Sequence, residues 1–286
     1  MSGLRQGVIW RNWGQNQACA PAWYAEPRTE AELVSTVREG LAAGLSIRVA
    51  GTGHSSSPLV QTGGLLLSLQ HLCGVIDTDV ARRRARMWAG TTIGGLGDPL
   101  WDRGLALSNQ GDIDKQVIAG AIATATHGSG RGLQSFSGAV RSMRLINGLG
   151  EIVEITEDQP ELMRAAQVSL GALGVVIDLE LEVSPAYYLQ ERVTYPHVTE
   201  LVEHWDVNPD SHRHFSFLWC PSDDSAELFE LPTPAGESMV DRAYTKFYNE
   251  VQVDEPDGIV TTAGSRVDRS YRIYPDGFGR IFNELE

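Results

Sequence analysis

The chain has 286 residues, 42% of them hydrophobic, and 23 basic against 37 acidic side chains set its formal charge at −14. That is enough chain for one large or two ordinary domains with real cores, and ordinary apolar content without charge blocks argues against disorder. A pI near 4.9 speaks against a basic nucleic-acid footprint. Cys19, Cys73 and Cys220 are odd in number and hold no CxxC pair, so they make neither a disulfide framework nor a zinc knuckle and suit a reducing compartment. Residues 1–13 lack the apolar stretch of a secretory signal, and no run reaches the ~18 apolar residues of a membrane span. A soluble, cytoplasmic protein is the expectation.

In chain order, Thr29-Glu30-Ala31-Glu32 reads as a capping box, and Leu33, Val34, Val37 and Leu41 continue it at helical spacing to a stop at Gly44. A short strand over 46–50 then runs into Gly51-Thr52-Gly53-His54-Ser55. Further strands are predicted over 65–69 and 84–89, while glycines 94, 95 and 97 weaken any helix over 93–103. A hairpin joins 143–147 to 151–155 through Gly148-Leu149-Gly150; a helix follows over 160–168 and a strand over 175–183. Near Ser184-Pro185 the composition shifts from Gly, Ala and Thr towards aromatics and acids. The expected class is α+β, with domains at 8–184 and 186–286, the second containing a strand over 212–219. The final residues 281–286 alternate like a strand.

The loop after the 46–50 strand carries the most chemistry. Glycines there let the backbone turn sharply and bring N–H groups against an anionic phosphate. Ser56 stands where a dinucleotide GxGxxG would need its third glycine, and no glycine-rich loop ends in Lys-Ser or Lys-Thr, so neither a Rossmann nor a P-loop is indicated. An ordinary tight turn bearing a solvated histidine explains the spacing equally well. The small-residue run 119–130, ending Thr126-His127-Gly128-Ser129-Gly130, suits close approach of backbone to a flat ligand, or a packing seam between strands. Gly171 and Gly174 ahead of a strand are compatible with a helix C-cap. His212-x-His214, with His204 upstream, lacks a completing carboxylate or cysteine and reads as exposed strand histidines; no metal is expected. Tyr24, Tyr187 and Tyr188 read as packing residues, Arg82 to Arg84 and Asp223-Asp224 as solvated turns.

Taken together and in order, Asn12-Trp13-Gly14, Val49 to Ser55, Ser108-Asn109-Gln110-Gly111-Asp112-Ile113, Ile118 to Gly130 and Ser169 to Val175 resemble the flavin-dependent oxidases of the vanillyl-alcohol oxidase (PCMH-type) fold. Within these, the likeness is greatest to the sugar-1,4-lactone oxidase branch (gulonolactone and arabinonolactone oxidases) and to alditol oxidase. It is strong over 8–184 and weaker beyond, where Asp268-Arg269-Ser270-Tyr271-Arg272 looks like a family segment. The resemblance implies a PCMH-type FAD-binding domain followed by an incomplete α+β substrate domain. It implies FAD bonded to His54 alone, because no cysteine stands near Gly111 for a second tether. A neutral imidazole nitrogen is a competent nucleophile toward an activated ring methyl. By the same resemblance, backbone from Val49, Ala50, Gly51, Thr52, Gly53, His54 and Ser55 holds the pyrophosphate. Asp112, Val117, Gly120, Thr124, Ala125, Thr126, His127, Gly174 and Val176 line the rest.

By the resemblance, Gly111 matches a position facing the oxygen-reactive edge of the flavin, where glycine is like the oxidases and alanine like the plant lactone dehydrogenases; a turn's need for glycine is the other explanation. The implied reaction oxidises a CH–OH group of a sugar-1,4-lactone, or alternatively an alditol, with dioxygen or another acceptor taking the electrons. Members of this family are longer, and their Glu-x-Arg pair and His-Trp-Gly-Lys motif have no match here, Asn283-Glu284-Leu285-Glu286 included. No catalytic base is therefore assigned. A truncated, inactive flavin-binding remnant, or half of a split protein completed by a second chain, stands as the alternative, and a substrate domain cut mid-sheet is expected to expose a strand edge and apolar surface.

Overall fold

Thr29 caps the first long helix, α1 (Glu30–Ala42): its hydroxyl accepts from Glu32 N–H at 3.1 Å, while the Glu32 carboxylate accepts from Arg28 N–H at 2.7 Å, one residue outside the reciprocal partner of a strict capping box. Leu33 and Val37 are buried on its inner face. The computed structural model describes residues 3–234, 236–253, 259–262 and 265–273. These fall into two units. The first holds the chain up to Arg103, Lys115–Thr126 and Ser135–Val183; the second holds Gly104–Asp114, His127–Gln134 and the chain from Ser184 onward. The short stretches 104–114 and 127–134 thus pack with the second unit although they lie inside the first in sequence.

In unit 1, α1 stands beside a three-stranded parallel sheet of β1 (Trp23–Ala25), β2 (Ile47–Ala50) and β3 (Leu65–Ser68), ordered β1-β3-β2. Leu65, Leu66 and Leu67 are buried in succession, as a central parallel strand with both faces covered requires. A second, antiparallel sheet contains β4 (Val75–Asp79), β5 (Arg84–Trp88), β6 (Val140–Ile146), β7 (Ile152–Thr156) and β8 (Val175–Glu182), ordered β7-β6-β8-β5-β4. The β6–β7 hairpin pairs Ile146 with Ile152; Gly150 takes a φ of +76°, and Asn147 Oδ1 accepts from the N–H groups of Leu149 and Glu151. Asp178, fully buried on β8, lies 3.0 Å from Arg86 and 2.8 Å from Arg144, and Arg144 also pairs with Glu30 of α1. Between 93 and 103 the glycines permit only a 3-10 turn (Gly94–Leu96) and a short helix (Gly97–Trp101). Helix α2 (Ile118–Ala123) and helix α3 (Pro160–Gln167) complete the unit.

Unit 2 is built on an antiparallel sheet of β9 (Tyr188–Thr194), β10 (His214–Cys220), β11 (Arg242–Val251), β12 (Ile259–Thr262) and β13 (Ser265–Arg269), ordered β10-β11-β9-β13-β12. Tyr187 donates its hydroxyl to Leu107 O at 3.0 Å, and Arg213 stacks over the Tyr187 ring and donates to Ser108 O. These contacts fasten the 104–114 stretch to the sheet. Trp205, Val207, Trp219 and Leu228 are exposed in this unit. Residues 281–286, expected to alternate like a strand, lie outside the described residues. Among the described residues no helix is long and apolar enough to cross a membrane.

Candidate cofactor site

Strands β2 and β3 run parallel, so both release their loops at the same end, the place where open sheets with parallel strands present ligand sites. A cavity of about 1280 Å³ opens there within unit 1. Its walls come from Ser46, β2 and the loop after it, residues 68–70 at the end of β3, Thr91 and Thr92, residues of α2, and the 169–176 segment. Fifteen of the lining residues are glycine or alanine, so backbone forms part of the surface.

The loop is shaped by contacts that leave no room for Cβ atoms. A methyl on Gly51 would sit 2.4 Å from Val117 Cγ2, and one on Gly53, whose φ is +78°, would come to 3.0 Å from Asn12 Cα. Asn12 and Trp13 clamp the loop from outside: Trp13 N–H donates to Gly53 O at 3.0 Å, and Asn12 Nδ2 donates to Ser55 O at 3.1 Å. The Trp13 and His54 rings lie 5.3 Å apart. On the far wall Gly174 has a φ of +145°, and a methyl there would meet Ile146 O at 2.1 Å.

His54 is the one imidazole lining the cavity. Its Nδ1 is buried and makes no hydrogen bond within the described chain. Burial pushes its pKa below the usual histidine value, so the ring is neutral at pH 7 and carries a lone pair on one nitrogen. A large cavity with a glycine-shaped backbone wall and an unpartnered neutral imidazole suits a flavin dinucleotide. Its volume exceeds the ~300–1,000 Å³ of ordinary small-ligand pockets.

Val49 to Ser55, Val117, Gly120, Thr124, Gly174 and Val176 all line this cavity. Ala125 and Thr126 belong to unit 1 but do not line it; Ala125 adopts a φ of +58°, and Thr126 N–H is bonded to Ala121 O. Gly111, Asp112 and His127 fall in unit 2. Ser68, Gln70, Thr91 and Cys73 also line the cavity; no local motif marks them, because sheet pairing brings them there. The histidine pair departs from expectation. His214 is fully buried, its Nδ1 bonded to Ser129 O, because it points to the covered face of the sheet; His212 contacts Asn249. Among the described residues no three His, Cys, Asp or Glu side chains gather to hold a metal.

Fold and site define an FAD-binding α+β protein, and residues 21–156 match the family described as FAD binding domain. The curated relatives that the chain matches are named as lactone dehydrogenases and lactone oxidases. It is 35% identical over 240 residues to an L-gulono-1,4-lactone dehydrogenase of Mycobacterium tuberculosis, an alignment covering 81% of this chain and 56% of that protein. A D-arabinono-1,4-lactone oxidase of Eremothecium gossypii is 32% identical over 77% of this chain and 42% of its own, and an L-gulonolactone oxidase of Bos taurus 28% identical over 78% and 51%. The chain thus spans about half the length of these relatives. A cholesterol oxidase from B. sterolicum superposes with a TM-score of 0.72 at 16% identity, over 89% of this chain and 50% of that one, a likeness of fold alone.

Proposed function

We propose that this chain is the flavin-bearing part of an oxidoreductase that oxidises a CH–OH group of a sugar-1,4-lactone, with the flavin covalently attached to His54. The unpartnered, buried Nδ1 of His54 inside the unit 1 cavity carries this reading. When bound, the flavin accepts a hydride and passes two electrons on to dioxygen or another acceptor. Attachment through imidazole forms one C–N bond, releases two protons and leaves two electrons for that same acceptor to remove. The chain's own contribution is placement. Asn12 and Trp13 fix the loop that presents His54, the glycine wall lets backbone approach, and burial keeps the imidazole neutral and nucleophilic.

The lactone assignment rests on the relatives' substrates; alditols are the competing class. Gly111 supports dioxygen as acceptor through the family resemblance of its position. Asp112, Ala125, Thr126 and His127 are retained as cofactor contacts on that resemblance alone. No observation favours an inactive remnant or a split protein.

The test is purification, acid denaturation and in-gel flavin fluorescence. Yellow protein whose fluorescence stays with the chain is expected, and His54→Ala should lose all acid-stable flavin. Acid-stable flavin in that variant would sink the attachment site. Flavin that stays oxidised under anaerobic L-gulono-1,4-lactone would overturn the lactone reading.

A further inference from the structure

Strand β2 lies at the edge of the parallel sheet, bonded to β3 alone, so its other side is open. Ile47 and Val49 pack into the core with Leu33 and Val37. Alternation turns Arg48, which stands between them, to the opposite face. There it is solvent-exposed and forms part of the wall of the unit 1 cavity.

Two features set Arg48 apart. The cavity wall includes no aspartate, glutamate or lysine among the described residues, and His54 is neutral, so Arg48 supplies its one formal charge. That charge is also unpaired. Elsewhere in unit 1, Arg84, Arg86, Arg141 and Arg144 each meet at least one carboxylate. Among the described residues, no carboxylate pairs with Arg48 and no hydrogen bond engages it. The chain as a whole carries a formal charge of −14, whose field repels an anionic ligand at long range. A dianionic pyrophosphate entering the cavity therefore needs positive charge close by. A guanidinium supplies it as paired N–H donors matched to phosphate oxygens, whereas the amides of the loop after β2 supply dipoles without net charge.

We propose that Arg48 is the counter-charge for the cofactor's pyrophosphate in the unit 1 cavity and holds the dinucleotide ahead of covalent attachment. This rests on the reading that FAD occupies that cavity, and deepens it by naming the side chain that senses the phosphates.

The test compares flavins with and without phosphate. Full-length His54→Ala protein, which binds flavin reversibly on the reading above, is titrated with FAD and with riboflavin at low and high ionic strength, followed by flavin fluorescence. Arg48→Gln on this background should weaken FAD binding about tenfold at low salt, the worth of a hydrogen bond to a charged group, and leave riboflavin binding unchanged. The difference should narrow at high salt, where screening weakens the parent's hold on FAD. Arg48→Lys, which keeps the charge, should keep most of the parent's salt dependence. Undiminished FAD affinity in Arg48→Gln overturns the proposal, as do equal losses for FAD and riboflavin or a loss that salt does not diminish. Acid-stable flavin persisting in His54→Ala removes the attachment reading alone; apoprotein from riboflavin-starved cells then takes the same titrations, so the two failures stay distinct.

Discussion

The two units work with opposite materials. Around its cavity, unit 1 removes side chains: Gly51, Gly53 and Gly174 stand where a single methyl would strike a neighbour, and backbone becomes the contact surface. On its sheet, unit 2 adds large and charged side chains: Tyr244, Lys246, Tyr248 and Glu191 crowd one face, and Phe215, Phe217 and Phe247 form an aromatic run elsewhere on it. A cofactor shared by many enzymes can be held by backbone, whose geometry tolerates sequence change. Discrimination among substrates needs side chains.

Substitutions can break this contrast. The largest effect is expected at Asp178, the buried carboxylate that unit 1 holds between two arginines. Asp178→Asn should cost about 3 kcal/mol, because the fully buried carboxylate is what two half-buried guanidinium groups share, although Arg86 keeps Glu154 and Arg144 keeps Glu30; a denaturation midpoint close to the parent's would show that the network is dispensable. Next comes His214 in unit 2, where burial depresses the pKa to about 4. Between pH 6.5 and about 4 the unfolded chain binds a proton that the folded chain refuses, so stability must fall as pH drops through that window and level off below it. The loss should approach about 3 kcal/mol. His214→Gln should flatten the wild-type profile by that amount, and superimposable profiles would remove His214 as the source. The smallest effect is at Thr29: losing its cap on α1 should cost about 1 kcal/mol, read as a small shift in thermal midpoint.

Unit 1 was largely legible in the sequence because its determinants are local. The cap at Thr29, the β6–β7 turn, and the strand running into Gly51 to Ser55 are each written within a few consecutive residues. The fate of Asn12 is less local; its partner Ser55 lies 43 residues away, and only the family likeness marked it. Unit 2 resisted. Nothing near His214 announces that it faces inward, since its partner Ser129 comes from a stretch 85 residues earlier. Lys246 and Glu191 meet only through strand pairing, and residues that sit 55 apart in the chain leave no spacing to read. Segments 104–114 and 127–134 look like parts of the first domain for the same reason: their anchors, Tyr187 and Arg213 for the first and Asp210 and His214 for the second, come much later.

The parallel trio of strands has an engineering meaning. At the entrance end Ser46 precedes β2 and Gly64 precedes β3, and a methyl on Gly64 would collide with Ser46 O at 2.3 Å. At the exit end the chain leaves β2 through Gly51 and β3 through Leu69, both on the cavity wall. Ser46 also lines the cavity, whereas Gly64 does not, so a mutagenesis library sown at Gly64 should change how much folded protein a culture yields, and little else. One sown at the exits should change the colour of what is recovered, which separates screening for expression from screening for cofactor on a single plate.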